Sequence, residues 1–344
     1  MSTTTPHQPA TAAETFAARR RSPVQMVQHV LHSHPTISPL LVLIVSFVVF
    51  ASINSRFSSP QSLSLVLQQV AVVAALAIGQ TLIILTAGID LSVGALTILA
   101  MMVMAKLSAE QGWPGWLALL AGFAVGTLGG LLNGVLVTRF KLPPFIVTLG
   151  TLSIFTALGL LYSNAQSIQG SSMPALLNWT GKTFRIGEFN ITTGVVLVAV
   201  MYAVAAFVLG QTAWGRHVYA VGDDPEASRL AGIRVSRVLL SVYVTAGLIF
   251  GVTAWILIGR AGSASPNALT DANLESITAV VIGGTSLFGG RGLVIGSLIG
   301  ALIVGVFRSG LSLAGVDDQY RVLAIGILVI TAVAVDQWIR KVRA

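Results

Sequence analysis

The chain contains no cysteine, which excludes disulfides, thiol catalysis and cysteine-bound metal, and leaves the redox compartment unreadable. Charge is almost as scarce. Only 9% of its 344 residues are Asp, Glu, Lys or Arg, against about 25% in an ordinary soluble domain. No Gly-x-x-x-x-Gly-Lys-Ser/Thr phosphate loop occurs, so that route to binding ATP is closed. The paired acids, histidine set or nucleophile with its base that mark an enzyme are missing as well. His7, His29, His32 and His34 lie in the N-terminal tail, His217 stands alone beside Arg216, and the acids are scattered. The reading is therefore a protein that is not an enzyme and holds no cofactor or metal.

What is abundant is apolar. Hydrophobic residues make up 54% of the chain and the mean hydropathy is +0.85, which places it among polytopic membrane proteins. The net charge of +8 would point to nucleic acid in a soluble protein. Here the cations sit in short loops between apolar windows, so they report orientation and not a nucleic-acid partner.

Residues 1–36 lack the apolar core and small-residue cleavage site of a secretory signal, and are expected to form a cytoplasmic tail, largely disordered. After Arg19-Arg20-Arg21, the spacing of Val24, Val27 and Leu31 leaves open a short helix lying on the bilayer. The alternative is a solvated tail with three topogenic arginines. Residues 37–344 form the expected transmembrane domain. Its apolar windows run Pro39 to Ile53, Leu63 to Thr86, Leu91 to Leu107, Leu117 to Val137, Phe145 to Tyr162, Ile191 to Leu209, Val238 to Ile258, Ser276 to Phe288, Leu293 to Leu311 and Val322 to Ile339. They predict about ten spans, within a range of roughly 8 to 10, the window before Phe288 being the weakest.

With both termini cytoplasmic, ten spans put most of the 20 basic residues inside, including Arg139, Lys141, Arg216, Arg229, Arg234 and Arg237. Arg56, Lys106, Lys182, Arg185, Arg260, Arg308 and Arg321 stay outside. The predicted fold class is thus all-α, with two inverted five-helix halves and some broken or re-entrant helices. Glycines at Gly122, Gly126, Gly130 and Gly134, and at Gly292, Gly296 and Gly300, form small-residue ridges that let helix backbones approach.

Two breaks interrupt the apolar runs, at Gly88-Ile89-Asp90 and at Gly283-Gly284-Thr285. Irregular backbone at membrane depth survives only beside protein or a water-filled cavity, so Gly88, Asp90, Ser92, Gly283, Gly284 and Thr285 are candidates for the translocation path. Asp90 sits where a broken helix would restart and is expected to accept hydrogen bonds from the first backbone amides. A direct role in solute or proton handling stays open. Asn133, Gln80 and Thr81 are further polar groups inside spans, where such residues commonly hold helices together.

The polar segment 210–237 is the remaining signal. Asp223-Asp224-Pro225-Glu226-Ala227-Ser228-Arg229-Leu230-Ala231-Gly232 carries an acidic cap, a first-turn proline and a terminal glycine around about two helical turns. A short helix held on the cytoplasmic face is a handle that a separate engine could grip. Arg229, Arg234 and Arg237 are available to acids of such a partner or to lipid headgroups.

Three stretches carry a resemblance. Gly79-Gln80-Thr81-Leu82 with Thr86-Ala87-Gly88-Ile89-Asp90-Leu91-Ser92-Val93-Gly94 is similar to the membrane subunit of ribose-type ATP-binding-cassette importers. So are Gly134 with Lys141-Leu142-Pro143-Pro144-Phe145-Ile146-Val147-Thr148-Leu149-Gly150-Thr151, and Gly283-Gly284-Thr285-Ser286-Leu287-Phe288-Gly289-Gly290-Arg291-Gly292. The likeness runs from about Pro39 to the C-terminus. It implies a monosaccharide permease of the bacterial inner membrane, dimeric, served by a cytoplasmic ATPase that binds the ATP and by a periplasmic sugar-binding protein. Carried over by position, Glu226, Ala227 and Gly232 resemble the loop that docks on the ATPase, with Ser228 departing from the family's second alanine. The competing expectation is an ion-coupled secondary transporter using Asp90. With aromatics at 7%, the passage suits a solute chosen by a dedicated binding protein. The outer loop from Ser163 to Asn190 is long enough to meet one.

Overall fold

The computed structural model describes residues 36–341. The tail, with Arg19 to Arg21 and the Val24, Val27, Leu31 stripe, lies outside the described residues. The helices are α1 (Ile37–Ile53), α2 (Pro60–Leu85), α3 (Val93–Ala109), α4 (Gly115–Thr138), α5 (Pro144–Ser163) and α6 (Thr193–Gln211). They continue as α7 (Ala213–Asp223), α8 (Pro225–Leu230), α9 (Val235–Ala261), α10 (Ala272–Ile282), α11 (Val294–Leu313) and α12 (Asp318–Lys341). Among them α2, α4, α5, α6, α9 and α11 are long and apolar enough to cross a membrane. The protein is an all-α polytopic membrane protein.

The apolar windows are helical nearly end to end, with one correction. The window Ser276 to Phe288 is not one helix: α10 stops at Ile282, and Gly283 to Leu293 is turn and loop. Gly284, Gly289 and Gly290 take positive φ there, a backbone that no helix continues through. At 11 residues α10 rises about 16 Å, half of a hydrocarbon core.

Close backbone contact holds the bundle. A Cβ added to Gly126 would overlap the Gly247 carbonyl, and one on Gly130 the Tyr243 carbonyl, so α4 and α9 lie backbone to backbone. The second ridge does the same for α11 against α10, through Gly300 on Ala279 and Gly296 on Gly283. Lipid supplies no hydrophobic drive between helices, so this van der Waals fit is what the glycines contribute. The core centres on α2, α3 and α9, whereas α5 and α6 present Leu161, Val200, Val204 and Phe207 outward.

Short strands mark one end. β1 (Ile168–Gln169) pairs antiparallel with β4 (Ser263–Ala264), tying the loop after α5 to the segment after α9, and β2 (Thr183–Ile186) forms a hairpin with β3 (Phe189–Thr192). In the interior, two interrupted helices meet at their N-termini: the Gly94 amide in the first turn of α3 donates to the Asn273 side chain of α10 at 2.9 Å. The segment leading into α10, Gly262 to Asp271, is thus a second interruption partnering Thr86 to Ser92. The glycine break at Gly283 to Thr285 is instead the turn joining α10 to α11.

Candidate functional site

The short helix α8 is built as its residues dictate. Asp224 is its N-cap, and its Oδ1 accepts from the Glu226 amide at 2.8 Å and the Ala227 amide at 3.0 Å. Pro225 takes the first helical position, where its missing N–H costs nothing. At the other end Gly232 turns left-handed (φ +85°). Its amide donates to Arg229 O and that of Ile233 to Ser228 O, both at 3.0 Å, the paired bonds that close a helix on a C-terminal glycine. Ser228 is buried, while Glu226 and Arg229 pair across one turn at 3.1 Å and remain 84% and 71% exposed. Leu230 is 89% exposed, an apolar tip on a charged stub.

This stub is not a free loop. It continues directly from α7, which the sequence reading left inside the polar segment 210–237. Thr212 caps α7 by accepting from Gly215 N at 3.2 Å, Val218 and Val221 are buried, and Trp214 Nε1 donates to Ser241 Oγ at 2.7 Å. The signal was present in Thr212 and in the spacing of Trp214, Val218 and Val221.

At its C-terminal end α7 runs into both glycine breaks. A Cβ on Gly222 would overlap the Leu85 carbonyl at the end of α2 and lie 2.7 Å from the Gly290 nitrogen. The Gly290 amide donates to that same Leu85 carbonyl at 2.9 Å. A Cβ on Gly289 would lie 2.6 Å from Gly222 O and 2.9 Å from Ala87 N, and one on Gly290 2.7 Å from Asp223 Cα. Tyr219 Oη donates to Gly292 O at 2.8 Å. Three chain segments therefore touch backbone to backbone, with little side-chain cushion between them.

The family description "Branched-chain amino acid transport system / permease component" matches residues 62–333. The chain belongs to that permease family. It is 51% identical over 338 residues to a fructose import permease protein of Rhizobium meliloti, covering 97% of this chain and 94% of the relative. It is 36% identical over 301 residues to a ribose import permease protein of Bacillus subtilis, covering 88% and 92%. A D-allose transport system permease protein of Escherichia coli is 33% identical over 301 residues, covering 87% and 91%.

In this permease the first break is a buried polar knot. Asp90 Oδ1 accepts from both the amide and the hydroxyl of Ser92 at 2.6 Å, and Ser92 Oγ accepts in turn from Asn133 Nδ2 at 2.9 Å. Thr148 Oγ1 donates to Ile89 O at 3.0 Å, closing the knot from α5. The expected capping by Asp90 is corrected in one respect. Asp90 reaches only the amide of Ser92, which is itself the N-cap of α3, and Asn273 takes the first-turn amide from across the protein. The ion-coupled alternative, which needs an acid free to load and release, draws no support from the relatives, which are sugar import permeases, or from a carboxylate whose Oδ1 is held by two bonds from Ser92.

Of the other candidates, Gly88 lies where a Cβ would sit 3.1 Å from the Tyr243 hydroxyl, a group with no hydrogen-bond partner among the described residues. Gly283 abuts the Gly296 backbone, and Gly284 bends the chain at φ +87°. The Thr285 hydroxyl is buried without a described partner. Gly88, Asp90, Ser92 and Asn133 are thus brought together, Gly283, Gly284 and Thr285 form a second group, and Glu226, Ala227, Arg229 and Gly232 form the stub. Sequence reasoning missed Gly222, Tyr219 and Asn273, whose partners lie 60 or more residues away in the chain.

Proposed function

We propose that this permease is the membrane-spanning subunit of an ATP-binding-cassette importer that carries a monosaccharide, a ribose-like pentose or a hexose, across the bacterial inner membrane. The observation that carries the reading is 51% identity, over nearly the whole of both chains, with a fructose import permease. In this reading the chain crosses the bilayer about ten times in two inverted halves, with both termini cytoplasmic. It pairs with a second copy, takes loaded sugar from a periplasmic binding protein and leaves ATP to a partner subunit.

The geometry supports a mechanical role for segment 210–237. Helix α8, with Glu226, Ala227, Arg229 and the exposed Leu230, fits a cleft in the ATPase, and capping at both ends lets it move as one piece. Movement passes through α7 to Gly222, and there to Leu85 of α2 and to the Gly289-Gly290 turn leading into α11. Close-packed interfaces are bistable and not elastic, so a small displacement at α8 is delivered to the spans. The knot of Gly88, Asp90, Ser92 and Asn133, and the turn of Gly283, Gly284 and Thr285, then lie along the path that opens.

Uptake of radiolabelled fructose and ribose by cells carrying the whole importer tests the reading. Uptake should fall as ATP is depleted and persist with a protonophore while ATP is held constant. Collapse with the protonophore alone would overturn ATP-driven transport.

A further inference from the structure

At the end of the bundle away from α8, a cavity of about 550 Å³ opens between α2, α10, α11 and the segment leading into α10. That volume is ordinary for a small-molecule site, roughly 300–1,000 Å³. Its lining is not. Arg260 closes α9, Arg308 comes from α11, and Glu275 stands in the first turn of α10, next to Asp271. Arg308 pairs with Glu275, whose side chain is 8% exposed while that of Arg308 is 47% exposed. Gln69 of α2 and Asn267 add exposed amides. Salt bridges on an outer surface need no enclosing cavity, and lipid-facing helices do not retain such charges without a role.

The faces that line the cavity continue inward to a closure. Three turns along α2 from Gln69 and Val70 lie Gln80 and Thr81, and three turns along α11 from Arg308 lies Ser297. Thr81 Oγ1 and Ser297 Oγ are hydrogen-bonded at 2.6 Å, joining α2 to α11. Gln80 beside them is fully buried, and neither atom of its amide has a hydrogen-bond partner among the described residues. A buried amide left unsatisfied costs about 1–3 kcal/mol, so its retention points to a ligand it meets in another state.

We propose that this cavity is a binding vestibule for a neutral polyhydroxylated solute, with Glu275 and Arg308 as the recognition pair and Gln69, Asn267 and Arg260 as further hydroxyl partners. The Thr81–Ser297 bond closes the way onward, about one to two turns beyond Val73 and Ala301, the innermost residues of α2 and α11 that line it. Carboxylate, guanidinium and amide groups together both accept from and donate to hydroxyls, and the mixture of charges favours a neutral ligand over an anion. The N-terminal meeting of α3 and α10 lies behind it, the arrangement in which transporters place solute sites. This inference rests on the transport reading above and names the residues that would meet its sugar.

The test uses the assembled importer in proteoliposomes, with its binding protein loaded with radiolabelled fructose or ribose, and counts sugar carried per ATP hydrolysed. Arg308→Gln and Glu275→Gln should each lower that ratio about tenfold, while ATP hydrolysis stimulated by the loaded binding protein persists. Asn267→Ala and Gln69→Ala, at exposed positions that do not endanger folding, should lower it about threefold. The exchanged pair Glu275→Arg with Arg308→Glu separates the roles, since an ion pair needed only for structure is restored by the exchange. Full recovery in the exchanged pair, or an unchanged ratio in the single variants, would overturn the vestibule. No sugar carried by the unaltered importer would refute the transport reading first, and the vestibule with it.

Discussion

The two ends of the bundle are built from opposite materials. Around Gly222 the contacts run mostly from backbone to backbone, among Gly222, Gly289, Gly290, Leu85, Ala87 and Asp223. Around Glu275 they run between long charged and amide side chains facing an open cavity. Backbone contact with no side chain between transmits a displacement without loss, because there is no rotamer to absorb it. Long side chains around water do the reverse: they yield to a ligand and re-form around it. One end is made to push and the other to bind.

The largest expected effect breaks the pushing end. Gly222→Val places its side chain on the Leu85 carbonyl and the Gly290 nitrogen, neither of which is the end of a flexible side chain. Overpacking of this kind costs about 1–3 kcal/mol, and here the relief must come from moving α7 off both glycine breaks. Sugar uptake should fall below detection although the binding protein still docks. Retention of normal uptake would mean that α7 does not carry the stroke. Gly222→Ala, with a smaller overlap, should leave partial uptake.

Next comes the stub itself. Glu226→Lys reverses one exposed charge on α8, and its surface pair with Arg229 contributes little to stability. Gly232→Asp strains a left-handed position at a cost of about 1 kcal/mol. Both permeases should reach the membrane in normal amount, and both should lose most of their uptake through failed docking. Protein level and uptake measured together decide the matter, and normal uptake in both would remove α8 from coupling.

The two ends also differ in how much of them was legible. The α8 signals are local: cap, proline and glycine fall within nine residues, and the structure forms the helix they predict. The apolar windows were readable for the same reason, since each carries its own hydropathy. Helix α7 was missed because an 11-residue amphipathic stretch with Arg216 and His217 reads as loop when no long apolar run marks it. The cavity could not have been read at all. Arg308 and Glu275 lie 33 residues apart and belong to no shared motif, and their meeting depends on α10 being half a span, which only its early stop at Ile282 reveals. Gly283 to Thr285 is legible as a break, because adjacent glycines interrupt the apolar run there. The α3 interruption meets the start of α10, not its end, because Asn273 reaches Gly94 across 179 residues.

That contact supplies the smallest prediction and the sharpest division between the ends. Asn273 Oδ1 accepts from the Gly94 amide as a cap does, and loss of a cap costs about 1 kcal/mol. Asn273→Ala should lower the thermal midpoint by about one to two degrees and leave uptake within about twofold, because the contact belongs neither to the stroke nor to the hydroxyl partners. Asn273→Asp keeps the acceptor, and a carboxylate there faces the positive ends of α3 and α10, so it should restore the midpoint. If Asn273→Ala instead abolished uptake at an unchanged midpoint, the meeting of α3 and α10 would be a moving part. The stroke begun at Gly222 would then reach the cavity, and pushing and binding would no longer be separate properties of separate ends.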